Sequence, residues 1–150
     1  MRAWWLDEGE GAAIDGEALR AEGIPTWVLP IEPEKHQGEL DGLKAARGYV
    51  EQDVIALGPE TPNLDALCAK FVDEHHHDDD EVRFTLGGEG IFDIRSKGDR
   101  WMRVVVEPGD LIVVPAGRHH RFLLTEKRAI RCVRLFRDTA GWVPHYREAV

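Results

Sequence analysis

The sequence predicts a single domain with a mainly β fold, a sandwich or barrel of short strands with a few short helices near the N-terminus. Beyond residue 81, short runs rich in β-branched and aromatic residues recur at intervals of about 8–12 residues, with turn residues between them. Helical periodicity is confined to the first 72 residues. The 150 residues suffice for one core, and no internal repeat or linker divides them. We expect residues 1–72 to pack on a barrel core at 73–137, followed by a tail at 138–150.

The N-terminal third alternates between extended and helical patterns. Strands are expected at residues 3–6, 24–29 and 49–57, with Pro25 placing the second at a sheet edge. Short helices are expected at residues 15–22 and 38–47. Thr61 followed by Pro62 predicts the start of a third helix, with the threonine as N-cap. Apolar residues recur at helical spacing after it, so that one face of this helix would lie on the barrel: Leu64, Leu67, Cys68 and Phe71.

The rest of the chain reads as strands separated by turns. Strands are expected at residues 82–86, 91–94, 101–106, 111–114, 120–124 and 129–136. Glycines fill residues 87, 88 and 90, which indicates a hairpin-type turn that permits positive φ.

Composition excludes several classes of partner. The formal net charge of −9 argues against binding to nucleic acid or an anionic membrane surface, because both require a basic patch. No stretch approaches the roughly 20 apolar residues of a membrane span, and the first residues do not resemble a signal peptide. Cys68 and Cys132 are too few for a disulfide framework and sit in apolar patterns, which favours buried thiols. We therefore expect a cytoplasmic protein with small-molecule partners.

A histidine-rich stretch ahead of the long strand pattern suggests a metal site. In an extended chain residues two apart point the same way, so His75 and His77 can present two imidazoles on one face. After an acidic turn at residues 78–80, that face continues with Glu81 and Arg83. Two imidazoles and a carboxylate form a ligand set for a divalent transition metal. A solvated loop is the alternative for the histidine run alone, but His120, after a Pro-x-Gly turn, could close a site from another strand.

The spacing of these residues resembles the two motifs of the cupin superfamily. The first motif is matched by His75, His77, Glu81 and Gly88, and the second by Gly109, Pro115, Gly117 and His120. The resemblance implies a double-stranded β-helix, a jelly-roll barrel, with one metal held by His75, His77, Glu81 and His120. His76 and His119 are expected to point the other way as bystanders. Leu124 stands where the second motif usually ends in asparagine, which speaks against a generic sugar-binding cupin.

Longer segments are similar to one cupin family, acireductone dioxygenase. They lie at residues 73–84, 88–95, 109–117, 120–122, 134–136 and 141–142. The resemblance implies that 1,2-dihydroxy-3-keto-5-methylthiopentene and O₂ are the partners, in methionine salvage. With Fe(II) the products would be formate and 4-methylthio-2-oxobutanoate, and with Ni(II) they would be CO, formate and 3-methylthiopropionate. One divalent cation per chain, Fe(II) or Ni(II), would be the cofactor, and the chain would act as a monomer.

The same resemblance implies the residues that contact the substrate. They are Phe71, Arg83, Phe122, Arg134 and Trp142, with Arg83 as the catalytic residue. Arg83 shares the face of Glu81 and can stabilise an anionic substrate by charge-assisted hydrogen bonds. Arg134 lies among apolar residues, so it is expected either to complement a bound anion or to form a structural ion pair.

Other functions remain open to the sequence. A ligand-sensing cupin without turnover would share the metal motif, although no helix-turn-helix accompanies it here. A metal-cupin isomerase, or a dioxygenase of another small substrate, is a second alternative. A barrel with a vestigial site is a third, which the four complete ligands disfavour.

Overall fold

The computed structural model describes residues 1–138 and 142–147, which contain three helices and eleven strands. The helices are α1 (Gly16–Ala21), α2 (Pro33–Arg47) and α3 (Leu64–Val72). The strands are β1 (Arg2–Trp5), β2 (Thr26–Val28), β3 (Glu51–Leu57), β4 (His75–His76), β5 (Glu81–Gly88), β6 (Gly90–Arg95), β7 (Trp101–Val106), β8 (Asp110–Val114), β9 (His120–Leu124), β10 (Ile130–Phe136) and β11 (His145–Tyr146). Within the predicted tail at 138–150, residues 139–141, which include Gly141 of one family segment, and residues 148–150 lie outside the described residues.

Two antiparallel sheets form the body of the protein. One has the order β1-β7-β6-β9-β4-β11 and the other β2-β8-β5-β10-β3. The prediction of a mainly β fold is confirmed. The three N-terminal strands extend both sheets, since β1 pairs with β7, β2 with β8 and β3 with β10. Strand β2 is an edge strand, as Pro25 indicated. None of the helices described is long and apolar enough to cross a membrane.

The five-stranded sheet is covered on both faces, which explains the unbroken apolar run in β8. Ile112 and Val114 face a core shared with the six-stranded sheet. Leu111 and Val113 face a second core, completed by Leu40 of α2. Alternate residues of a strand point to opposite faces, so a strand buried on both sides is apolar throughout. Helix α2 begins five residues before its predicted start, because Pro33 occupies its first turn.

The glycines at residues 87–90 do not make a hairpin turn, so that prediction is wrong. Strand β5 pairs with β8 and β10, whereas β6 pairs with β7 and β9. The glycines therefore carry the chain from one sheet to the other. At the crossing Gly88 has a φ of 73°, and a Cβ there would lie 2.1 Å from the carbonyl oxygen of Ala129. Only glycine combines that φ with such a close approach of two backbones.

The predicted N-cap of α3 is also wrong. The helix begins at Leu64 after Asn63, which adopts a φ of 57° and makes no side-chain cap. The hydroxyl of Thr61 instead accepts a hydrogen bond of 2.9 Å from the backbone N–H of Gly58, closing a turn ahead of the helix. A threonine hydroxyl can accept a hydrogen bond from a backbone N–H of a turn as well as from one of a helix, and Thr61 does so within the turn.

The close backbone contact at Gly88 leads to a stability prediction, for which the neighbouring Gly87 provides a control. Gly88→Ala should lower the free energy of unfolding by more than about 2 kcal/mol, because it adds a positive-φ penalty to a backbone clash. Gly87→Ala, where the nearest atom to a new Cβ is 4.0 Å away, should change it far less. Urea denaturation of both variants measures the difference, and equal stabilities would contradict the assigned role of Gly88.

Candidate metal centre

Three of the predicted ligands converge in the six-stranded sheet. His75 in β4 lies directly opposite His120 in β9. One ring nitrogen from each of His75, His77 and His120 lies within 4.8 Å of the others. His75 and His120 are only 4% and 2% exposed. The structure thus brings together the three imidazoles that sequence spacing singled out, two of them buried and that of His77 half-buried.

The carboxylate reaches this cluster from the other sheet. Glu81 opens β5, and its Oε2 lies 2.6 Å from Nε2 of His120 without forming a hydrogen bond. Among the described residues, the buried side-chain polar atoms without a hydrogen-bond partner are His77 Nδ1, Glu81 Oε2 and His120 Nε2. A buried polar atom without a partner costs about 1–3 kcal/mol. Two of these atoms, Glu81 Oε2 and His120 Nε2, lie 2.6 Å apart, and the rings of His77 and His120 belong to one cluster, which fits a bound cation as a common partner.

Backbone carbonyls fix which nitrogen two of the rings can offer. Nδ1 of His75 lies 2.7 Å from the carbonyl oxygen of Asp73, and Nδ1 of His120 lies 2.9 Å from that of Arg118. A carbonyl only accepts, so each Nδ1 carries the proton and donates it. In the neutral ring each Nε2 therefore keeps its lone pair for a ligand. This arrangement of outer hydrogen bonds is typical of metal-binding histidines.

The acidic turn after the histidines is anchored to the fold. Asp80 accepts hydrogen bonds from the hydroxyl of Tyr49, at 2.5 Å, and from the backbone N–H of Ala116, at 2.9 Å. The backbone N–H of Gly117 donates to the carbonyl of His77 at 2.9 Å. The two segments that carry the cupin-like motifs are thus bonded to each other beside the cluster. A solvated loop would lack these contacts.

Burial and charge set the protonation states of the cluster. Burial lowers the pKa of both His75 and His77, which favours neutral imidazoles. Burial alone would raise the pKa of Glu81, but the Arg83 guanidinium, 2.9 Å from its Oε1, and His120 outweigh burial and lower it. Burial alone would lower the pKa of His120, but the negative charge of Glu81 outweighs burial and raises it. Glu81 is held ionised, which is the form in which a carboxylate can bind a metal.

A cavity of about 310 Å³ opens beside the cluster. All five predicted substrate-contact residues line it, namely Phe71, Arg83, Phe122, Arg134 and Trp142. Further lining residues escaped sequence reasoning: Ile55, Leu57, Phe92, Ile130, Cys132, Pro144 and Tyr146. Their positions follow from strand pairing, which composition does not reveal. The one sequence signal for any of them was strand alternation in β10, which predicted that Ile130 and Cys132 share a face with Arg134. It did not show that this face is inward.

The two predicted phenylalanines, Phe71 and Phe122, form one wall of the cavity. The ring of Phe122 meets that of Phe71 edge-on at 6.2 Å and packs against Phe92 at 5.0 Å. Helix α3 supplies Phe71, so the predicted apolar face of this helix does reach the site. The two rings give this side of the cavity an apolar lining.

Arg134 has the ion pair that one of its two predicted roles requires. It lies opposite Asp53 in β3, and its Nε and Nη2 donate to the two carboxylate oxygens at 2.8 and 2.6 Å. Its guanidinium also lies 4.2 Å from the centroid of the Trp142 ring. Arg134 therefore packs against Trp142 while its charge is neutralised by Asp53.

Fold and site together define a metal-binding cupin, a jelly-roll barrel with a histidine and carboxylate cluster at its mouth. The chain matches the ARD/ARD′ family over residues 12–144. Similar curated proteins include acireductone dioxygenases of Heterostelium pallidum, 40% identical over 144 residues covering 96% of each chain, and of Rattus norvegicus, 34% identical over 161 residues covering 99% of this chain and 90% of the other.

A solved structure extends this likeness to the fold. The acireductone dioxygenase of Bacillus anthracis, with a cadmium ion in its active center, superposes with a TM-score of 0.89 at 35% identity, covering 97% of both chains. This chain belongs to the ARD/ARD′ family. The predicted cupin barrel and the predicted family membership are confirmed.

The ligand assignment predicts a split among six variants. His75→Ala, His77→Ala, Glu81→Ala and His120→Ala should each lose the one equivalent of metal that survives exhaustive dialysis, because each removes a donor from the buried cluster. His76→Ala and His119→Ala should retain it, since both rings lie outside the cluster. Elemental analysis measures the content. Retention in any of the first four, or loss in either of the last two, would contradict the assignment.

Proposed function

We propose that this chain is a metal-dependent dioxygenase that cleaves an acireductone with O₂. The observation that carries the proposal is the group of unpartnered donor atoms on residues that line a largely apolar cavity, in a member of the ARD/ARD′ family. Its relatives are acireductone dioxygenases. An acireductone has an anionic enediolate at one end and an apolar methylthio tail at the other. The lining of the cavity offers both kinds of surface, the donor cluster with Arg83 and a group of apolar side chains.

His75, His77, Glu81 and His120 are proposed to hold one divalent transition metal. Three imidazoles and one carboxylate suit cations of borderline softness such as Fe(II) and Ni(II). Four protein donors leave room for substrate oxygens beside the cation. When bound, the cation would supply Lewis acidity and a template for the two enediolate oxygens.

Arg83 is proposed to act at the anionic end of the substrate. Its side chain lines the cavity and already pairs with Glu81, and its Nη1 donates to the carbonyl of Val82 at 2.9 Å. These two contacts hold the guanidinium in place before the substrate arrives. A fixed positive charge in a site shielded from water stabilises developing negative charge at little reorganisation cost.

The aromatic wall is proposed to receive the methylthio tail. Phe71 and Phe122 offer apolar surface, and Trp142 closes the side above Arg134. Burial of an apolar tail contributes about 25 cal/mol per Å² of surface. Binding the tail here would aim the enediolate at the metal cluster and exclude water from it.

Product analysis tests the reaction directly. Iron-loaded protein mixed anaerobically with synthetic acireductone and then exposed to O₂ should yield formate and 4-methylthio-2-oxobutanoate. The nickel-loaded protein should yield CO, formate and 3-methylthiopropionate, because the cation fixes how the substrate chelates. One identical product set from both forms would contradict the role given to the metal. Binding without O₂ consumption would support the ligand-sensing alternative.

Arg83→Ala tests the residue closest to the proposed chemistry. Turnover should fall by at least about 10²-fold with metal content unchanged, because the variant loses a preorganised charge. Arg131→Ala, which removes an exposed arginine from β10 of the same sheet, is the matched control and should keep full activity. Stopped-flow kinetics and elemental analysis measure both effects. A parallel loss of metal would show that Arg83 serves only to hold Glu81.

A further inference from the structure

A second cluster of potential ligands lies on the opposite face of β4. His76 in β4 alternates with His75 and His77, so its ring points away from the buried cluster. It lies directly opposite His145 in β11. One donor atom from each of His76, Asp78 and His145 lies within 4.8 Å of the others. Strand pairing thus assembles two imidazoles and a carboxylate a second time.

The contacts within this outer cluster are close. Nε2 of His145 lies 3.1 Å from Oδ1 of Asp78. The rings of His76 and His145 stack at 4.9 Å with an interplanar angle of 30°. His119 also contacts His76, with its Nε2 at 3.3 Å from Nδ1 of that ring. No catalytic role in the proposed reaction uses any of these four side chains.

The chemistry of the donors selects a class of ligand. Imidazoles and a carboxylate suit Zn²⁺ and similar divalent cations, whereas Mg²⁺ prefers oxygen donors alone. The side chains of Asp78 and His145 are 71% and 43% exposed, so a cation can enter and keep water in its remaining positions. The acidic turn at residues 78–80 and the net charge of −9 add long-range attraction. Exposure also makes such a site weaker than the buried one, and it should empty on dialysis.

We propose that His76, Asp78 and His145 form a second divalent transition-metal site that fastens the C-terminal segment to the barrel. His145 belongs to β11, whereas His76 and Asp78 lie in and just after β4. The segment of β11 also carries Trp142, Pro144 and Tyr146, which line the cavity. A cation bound by all three side chains would join this cavity-lining segment to β4, the strand that holds His75. The site stands independently of the proposed reaction.

Zinc titration of the protein with its first site filled tests the proposal. Calorimetry should show one additional equivalent of Zn²⁺ per chain and no binding of Mg²⁺. Asp78→Asn and His145→Ala should each weaken the additional equivalent by at least about tenfold, because each removes a donor. Asp79→Asn makes the same change of charge one residue away and should leave it intact. The dialysis-resistant metal should remain in His145→Ala.

Hydrogen exchange gives a second measurement. Filling the outer site should slow exchange of the backbone N–H of Arg147, which donates to the carbonyl of Glu74 at 3.0 Å, and should not do so in His145→Ala. The proposal is overturned if no additional equivalent binds, or if His145→Ala and Asp78→Asn bind it as the unaltered chain does. Equal loss in Asp79→Asn would also overturn it, since attraction to the acidic turn as a whole would then account for binding.

Discussion

The site depends on one constraint: donor atoms from two separate sheets must meet at a point where they have no other partner. His75 and His120 are held opposite each other in one sheet, while Glu81 comes from the start of β5 in the other. The packing of the two sheets therefore sets the distance between the carboxylate and the imidazoles. Arg83 helps to orient the carboxylate, because it pairs with Oε1 of Glu81 and leaves Oε2 without a hydrogen-bond partner. Unpartnered donors are costly to bury, and a bound cation offsets that cost.

Strand alternation distributes the chemistry of this region over two faces. In β5, Glu81 and Arg83 face the cavity, while Val82 and Phe84 face the core beneath α2. In the histidine run, alternation gives one inward pair and leaves His76 for the outer cluster. Two potential metal sites of different exposure therefore arise from consecutive residues. The C-terminal strand β11 connects them, because it borders β4 and its neighbours line the cavity.

Local spacing was enough to predict part of this structure. The inward histidines, Glu81 and the apolar face of α3 follow from periods of two and 3.6 residues, which local sequence records. Local sequence does not show which distant segments pair with each other. The partner of Arg134, Asp53, lies 81 positions away, and His145 reaches His76 through the register of a strand that sequence patterns did not indicate. The glycines at 87–90 suit a hairpin and a sheet-to-sheet crossing equally, so only the close approach of Ala129 to Gly88 distinguishes them.

X-ray absorption at the metal edge of the nickel- or iron-loaded protein tests the convergence of the four donors most directly. The donor geometry predicts a first shell of nitrogen and oxygen only, with multiple scattering from three imidazoles. Cys132 lines the same cavity, so a sulfur scatterer is a realistic alternative. Sulfur in the first shell, or fewer than three imidazoles, would contradict the assignment of His75, His77, Glu81 and His120 as the ligands.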